Sequence, residues 1–235
     1  MKFFNRGLYA LILTIFFQSQ LIAEYLYKDE VVDREEFTQQ VEVLGSELYQ
    51  KTGISLRLLM LKSIPDNLDI VSYERELIKS FNEPTILLIF VRDSSEIDIQ
   101  VSDPSLYEYF DRKQVLSPVA SPVQAFVMAL TYGDSWKHFN ELRTDYGGSI
   151  LPLIAGKSKP EQTVGKYAGS MFNGYIDIAH QVSLSKNVVL ENDPGDTNQQ
   201  TLFYVKLFFY GFVFYGIVMY IRRRLYIRRQ NREQK

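Results

Sequence analysis

The sequence predicts a layered α/β/α domain with a mixed, mostly parallel sheet, followed by a C-terminal transmembrane helix. Two apolar runs of strand length, Ile54–Leu61 and Thr85–Val91, are separated by a helical pattern, so a crossover makes them parallel. The alternating segment Glu96–Ser102 follows after a short turn, which predicts antiparallel pairing. Finally, Leu202–Ile221 is mostly apolar and, as a helix, is long enough to cross a bilayer core about 30 Å thick.

The first predicted helix begins near Asp33 and ends near Gly53. Asp33 is its expected N-cap with Glu36 at the third position, and Gly53 suits the left-handed residue after a helix. An apolar stripe along this helix is expected to face the core: Phe37, Val41, Leu44 and Leu48.

Helical patterns also cover the crossover and the second half of the domain. The crossover helix is expected over Asp69–Phe81, with Ile70, Tyr73, Leu77 and Phe81 on one face. A short helix is expected after Pro104, with Ser105 and Glu108 as its capping box. Ser121-Pro122 marks a further helix start, with an apolar stripe of Val123, Phe126, Val127 and Leu130. Two further helices are predicted over residues 134–146 and 161–185, the second with Val164, Ala168, Phe172, Ile176, Ala179 and Val182 facing inward.

Charge is distributed unevenly along the 235 residues, whose net charge is −2. Residues 24–200 contain 27 acidic and 16 basic side chains, a net of −11, whereas residues 201–235 have a net charge of +7. Because an acidic domain repels phosphate backbones, a nucleic-acid partner is not expected. The absence of cysteine excludes disulfides and thiolate chemistry, and two histidines are too few for a three-histidine zinc site.

The two ends of the chain predict its topology. Residues 1–23 pair a basic start with a short apolar run, which is typical of a signal peptide or an uncleaved N-terminal anchor. A basic tail, residues 222–235, follows the predicted span and should stay in the cytoplasm. The residues that carry this topology are Lys206, which can snorkel to the outer interface, and Arg222, Arg223, Arg224, Arg228 and Arg229. The prediction is therefore a single-pass inner-membrane protein with a periplasmic domain, residues 24–187, and a linker, residues 188–201.

Residues 30–185 resemble the TPM-domain family of membrane-tethered extracytoplasmic α/β domains. The resemblance rests on Leu44–Gly53, on the strand after it, and on the hairpin from Thr85 to Ser102. It implies acid phosphatase activity, calcium binding, assembly or repair of membrane complexes, or receptor modulation. The chain departs from the family where the hairpin ends in Val101-Ser-Asp-Pro104 rather than in glycines, and over Leu116–Tyr132. No catalytic residue is therefore assigned.

Three acidic residues, Asp66, Asp69 and Asp93, follow the C-terminal ends of the parallel strands, where ligands bind in open α/β sheets. They are candidate ligands for Ca²⁺ or Mg²⁺, although aspartates at these positions also serve as loop formers and helix caps. A second acidic group, with Asp98 expected to face solvent, is interpreted as a solvated surface, with metal binding as the alternative: Asp98, Asp103, Glu108 and Asp111.

A polar cluster is also predicted on the last helix of the domain. Asn173, Asp177 and His180 recur at spacings of four and three, so their side chains can meet. Asp177 could orient His180 for proton transfer, or the three could form a local hydrogen-bonding group.

The sequence favours a membrane-anchored periplasmic accessory or assembly factor for a membrane-protein complex, with no required cofactor. A divalent-metal-dependent phosphatase of the TPM type is the alternative. A third possibility is a structural subunit whose span packs in a larger assembly, which an acidic partner for Lys206 would favour.

Overall fold

Four strands form one mixed sheet in the order β1-β2-β3-β4 in the computed structural model. The structure describes the backbone of residues 24–65, 68–193 and 195–233. It describes the side chains of residues 24–65, 68–193 and 207–226. The strands are β1 (Leu26–Asp29), β2 (Ser55–Leu61), β3 (Thr85–Val91) and β4 (Glu96–Val101). The first three strands are parallel, and β4 pairs antiparallel with β3. The predicted α/β class with a mixed, mostly parallel sheet is therefore confirmed.

Helices connect and cover these strands. The α-helices are α1 (Glu35–Thr52), α2 (Ile70–Leu77), α3 (Arg112–Val115), α4 (Pro122–Tyr132), α5 (Trp136–Thr144), α6 (Leu151–Ile154), α7 (Thr163–Ser185) and α8 (Gly195–Glu233). Short 3₁₀ turns lie at Ile78–Ser80, Pro104–Glu108 and Pro160–Gln162.

The core lies on both faces of the sheet because β2 and β3 are buried at every residue. On one face, Leu56, Leu58 and Met60 of β2 join the apolar stripes of α1 and α7. On the other face, Leu59 and Leu61 pack with Ile70, Tyr73 and Leu77 of α2. Alternation along a strand sends successive side chains to opposite faces, so two mostly apolar strands that are buried throughout require cover on both sides.

The edge strand β1 was not predicted from the sequence. Its four residues are too few to show alternation, and its position depends on contacts with distant residues. The buried carboxylate of Glu42 on α1 accepts hydrogen bonds from the backbone N–H groups of Tyr25 and Leu26, at 2.9 and 2.8 Å. Leu58 donates to the carbonyl of Tyr25 at 2.7 Å.

The predicted cap of the first helix was wrong. Helix α1 begins at Glu35 after Arg34, and Asp33 lies outside it with a left-handed backbone (φ 48°). The reason is Asp29 at the end of β1, whose carboxylate accepts the N–H groups of residues 31, 32 and 33. The predicted stripe of α1 is buried, and Gly53 is left-handed (φ 72°), as expected.

One other prediction of local detail also failed. The capping box of Ser105 and Glu108 is absent, because Asp103 caps that 3₁₀ turn by accepting the N–H of Ser105. The predicted inward face of α7 packs against the core, with Ala179 and Val182 fully buried, and the face extends to Met171, Tyr175 and Ile178, which are also fully buried. The helix starts at Ser121-Pro122 and within 134–146 were correctly predicted.

The chain divides into two compact units, and the boundary along the sequence lies between Asn192 and Asp193. Residues up to Asn192 belong to the sheet domain, since Glu47 accepts the N–H groups of Glu191 and Asn192. The second unit contains α8, which includes the predicted span as a helix. Among the residues whose side chains the structure describes, no helix is long and apolar enough to cross a membrane. The side chains of Leu202–Lys206, Arg228 and Arg229 lie outside that part.

One close approach in the core gives a test of the fold. A Cβ at Gly45 would lie 2.5 Å from Cγ of Tyr25 and would also meet Tyr175 Oη. We therefore expect Gly45→Ala to lower the free energy of unfolding by about 1–3 kcal/mol, as overpacking does in other cores. Gly169→Ala on α7 is the matched control, because its Cβ would meet nothing within 4 Å. Thermal unfolding of both variants checks this, and equal stability of the two would contradict the packing.

Candidate functional site

An open groove of about 1030 Å³ lies between the turn Pro104–Glu108, α3 and the C-terminal part of α7. Aromatic, apolar and charged side chains share its walls. They include Tyr107, Tyr109, Phe110, Arg112, Leu116 and Leu184. Tyrosine and arginine are the residue types enriched at the centres of protein interfaces, so the lining suits recognition of a polypeptide.

Hydrogen bonds fix both walls of the groove to each other. The side-chain carbonyl of Gln181 on α7 accepts the backbone N–H of Asp111 at 2.8 Å. Ser185 donates its hydroxyl to the carbonyl of Tyr109 at 3.0 Å. The ammonium of Lys186 lies 3.9 Å from the ring centroid of Tyr109, in cation–π contact. The groove is therefore preformed by the folded domain.

Arg112 connects the groove to a buried carboxyl pair behind it. Its guanidinium donates to Asp98 and, through Nε, to the carbonyl of Ile99 at 3.1 Å. The side chain of Arg112 remains 44% exposed, whereas that of Asp98 is 13% exposed. The prediction that Asp98 faces solvent was wrong, because α2 and Arg112 cover this end of the edge strand.

The second carboxyl of the pair belongs to Glu74, which is buried on α2 and hydrogen-bonds to Asp98. Burial, and then the charge of Asp98, raise the pKa of Glu74 to about 8. Its Oε2 atom has no hydrogen-bond partner in the described part of the chain. At neutral pH, Glu74 is therefore protonated and can donate to the Asp98 carboxylate, while Arg112 balances the remaining negative charge.

Sequence reasoning missed both Glu74 and Arg112. Glu74 lies four residues after Ile70 and three before Leu77, so it occupies the apolar face of α2. That placement was a usable signal, since a charged residue within an apolar stripe must find a buried partner. The partner could not be identified, because Asp98 comes from a strand 24 residues away.

The predicted metal-site residues have local roles in the structure. Asp69 caps α2, accepting the N–H and the hydroxyl of Ser72 at 2.8 and 2.7 Å, and these bonds lower its pKa. Asp93 pairs with the neighbouring Arg92. Asp66 lies outside the described residues. In the part of the chain that the structure covers, no three His, Asp or Glu side chains are grouped to hold a metal ion.

The predicted cluster on α7 contributes to a hydrogen-bond network between α3, α7 and residues 147–149. Asn173 donates to the carbonyl of Ser149 at 2.7 Å. Asp177 accepts from Gln114 and Gln181, at 3.2 and 3.0 Å, and Gln181 also donates to Gln114. His180, one turn further along α7, accepts the Ser183 hydroxyl at its backbone carbonyl. The network positions the wall of the groove, and its glutamines were not predicted.

Of the second acidic group, Asp103 and Asp111 are helix caps. Asp111 accepts the N–H of Gln114 at the start of α3, and Glu108 lines the groove.

No protein-family model matches the sequence, and no curated protein is significantly similar to it. The resemblance to the TPM-domain family therefore stays a prediction from the residues quoted above.

The buried carboxyl pair predicts a specific dependence of stability on pH. The pKa of Glu74 is about 8 in the folded state and close to the ordinary carboxyl value of 4.5 when the chain is unfolded, so the unfolded chain loses this proton at lower pH. Stability should fall as pH rises from 5 to 8, by up to about 1.4 kcal/mol per pH unit, and level off above pH 8.

Glu74→Gln should flatten this slope, because an amide keeps a donor for Asp98 and has no proton to lose. Denaturant unfolding at several pH values between 5 and 8 measures the slope for both proteins. Equal slopes for the two proteins would contradict the conclusion that folded Glu74 keeps its proton beside Asp98.

Proposed function

We propose that this protein is a membrane-anchored accessory factor whose extracytoplasmic domain docks on a membrane-protein partner. One observation carries the proposal. In α8, the side chains from Leu207 to Ile221 are uncharged and almost all exposed, and Arg222, Arg223 and Arg224 follow them directly. Together with Leu202–Lys206, this apolar helix has the length of a bilayer span. Exposed aromatic and aliphatic side chains in such a run are best accommodated by lipid.

Charge supports the proposed orientation. The arginines that follow the apolar run favour the cytoplasmic side for the tail, and the acidic residues 24–200 then lie on the outer side. Residues 1–23, with Lys2 and Arg6 before an apolar run, favour the same arrangement.

The groove supports the docking part of the proposal. It is preformed and open, and it presents tyrosines, Arg112 and the exposed Leu184 together. Such a lining suits a segment of a partner protein whose apolar side chains would cover Leu184. A partner in the same membrane gains effective concentration from the tether.

Single cysteines test the topology, since the chain has no native cysteine. Ser94 is exposed in the turn between β3 and β4. In spheroplasts, we expect Ser94→Cys to react with a membrane-impermeant maleimide added outside. Gln230→Cys in the tail should react only after the membrane is permeabilised. Equal labelling of both cysteines in intact spheroplasts would rule out a single span between them.

A pull-down in mild detergent tests docking at the groove. Leu184→Lys places a charge within the groove on a side chain that is 61% exposed, so it should not disturb the core. We expect this variant to lose a stoichiometric membrane-protein partner that the unmodified protein captures. Val189→Lys is the matched control, because Val189 is 79% exposed and does not line the groove.

Two results would contradict docking at the groove. If Leu184→Lys retains the partner as Val189→Lys does, the groove is not the docking surface. If no partner is captured and Ca²⁺ or Mg²⁺ strongly raises the melting temperature, the metal-dependent phosphatase becomes the better proposal.

A further inference from the structure

A helical hairpin, residues 120–146, projects from the domain, and we refer to it as the arm. Its helices α4 and α5 pack mainly on each other. The base of the arm is closed, because the carbonyl of Val119 accepts the N–H groups of Gly147 and Gly148 at 2.9 and 3.0 Å. Gln114 also donates to the carbonyl of Gly147. The arm is therefore a defined outgrowth that is fixed at one end.

The apolar stripe of α4 is exposed, contrary to the usual inward orientation of such stripes. Only Ala125 and Ala129 of α4 are buried, and the exposed side chains are Val123, Phe126, Val127 and Leu130. Tyr132 and Trp136 flank the turn at the tip, and Trp136 is 77% exposed. Contiguous exposed apolar surface of this kind marks an interaction site with a protein or a membrane.

The composition of the arm favours lipid over a protein surface. Residues 120–133 of the arm, which include all of α4, contain no charged side chain, and the charged residues of the arm begin at Asp134. Tryptophan and tyrosine at the tip are the residues that prefer the boundary between headgroups and acyl chains. The Trp136 ring stacks on Phe139 at a centroid distance of 5.5 Å, and Phe139 also contacts Phe126, so the aromatic rings of the tip pack on one another. The exposed face of α4 can therefore enter the headgroup region without desolvating a charge, while the exposed side chains of Asp134 and Lys137 beside Trp136 stay in contact with headgroups and water.

The chain also keeps the domain close to a bilayer if α8 contains the proposed span. The sheet domain ends at Asn192, and the span begins at Leu202. The nine residues between them extend to at most roughly 30 Å, at about 3.3–3.6 Å per residue. A tether of this length confines the domain to the region next to the outer leaflet.

We propose that the exposed face of α4 and the aromatic tip of the arm insert into the outer interface of the bilayer that holds α8. The arm is then a second membrane contact, which limits the rotation of the domain on its tether. This inference rests on the proposed tether. Lipid is the proposed partner of the exposed face of the arm. Docking of the arm on a protein, or on a second copy of the chain, is an alternative outcome of the test.

Trp136 provides a direct test because it is the only tryptophan in the chain. The full-length protein is placed in phosphatidylcholine nanodiscs, one copy per disc, with or without bromine on the acyl chains. We expect brominated lipid to quench the Trp136 emission at least twofold relative to the unbrominated lipid. Helix α8 contributes no tryptophan signal, so quenching reports on the arm alone.

Two variants identify the surface responsible. The double variant Val127→Lys and Leu130→Lys places charges on the exposed face of α4 and should abolish the quenching. Val189→Lys, an exposed valine outside the arm, should leave the quenching unchanged. Circular dichroism confirms that each variant is folded.

Different outcomes separate the failure of this inference from failure of the proposed function. If the protein stays in the discs but Trp136 is not quenched, the arm does not enter lipid and the inference is wrong. A change in emission that requires two copies per disc and is independent of bromine indicates a second copy, which also overturns it. If the protein is not retained in the discs, the proposed tether itself is wrong.

Discussion

The structure depends on the parallel pairing of β2 with β3, which buries every side chain of both strands. Two strands of this kind cannot lie at a solvent-exposed surface, so both faces of the sheet must be covered by helices. Helices α1 and α7 cover one face and α2 covers the other. The remaining elements are arranged around this requirement: β1 is added at one edge, and β4 returns along the other.

Buried polar groups define how the covering elements attach to the sheet. Tyr175 on α7 is fully buried and donates its hydroxyl to the carbonyl of Leu56 on β2 at 2.8 Å. Burial holds its pKa well above the usual value, so the hydroxyl remains a donor. Glu42 fixes β1, and the pair of Glu74 and Asp98 joins α2 to β4. Each of these contacts satisfies a group that would otherwise destabilise the core, and each specifies one arrangement of the elements.

The same logic explains why the candidate site was only partly predictable. The predicted positions of Asp69 before a helix and of Asp93 after a strand were correct. Whether such an aspartate binds a ligand or caps a helix depends on neighbouring side chains that the sequence does not identify. Asp177 was expected to interact along α7 with Asn173 or His180, whereas Gln114 from another element also bonds to it. Arg112 and Leu184 lie about 70 residues apart, and only the packing of α3 against α7 brings them to one groove.

Local sequence patterns were enough to predict the strands β2, β3 and β4, the helix start at Ser121, the end of α1 at Gly53 and the helical character of the C-terminal segment. These features follow from local periodicity and from caps within a few residues, which are properties of the sequence alone. The pairing of β1 with the sheet, the burial of Asp98 and the outward orientation of the α4 stripe could be read only from the folded domain. The burial of a residue depends on which elements cover it, and those elements come from distant parts of the chain.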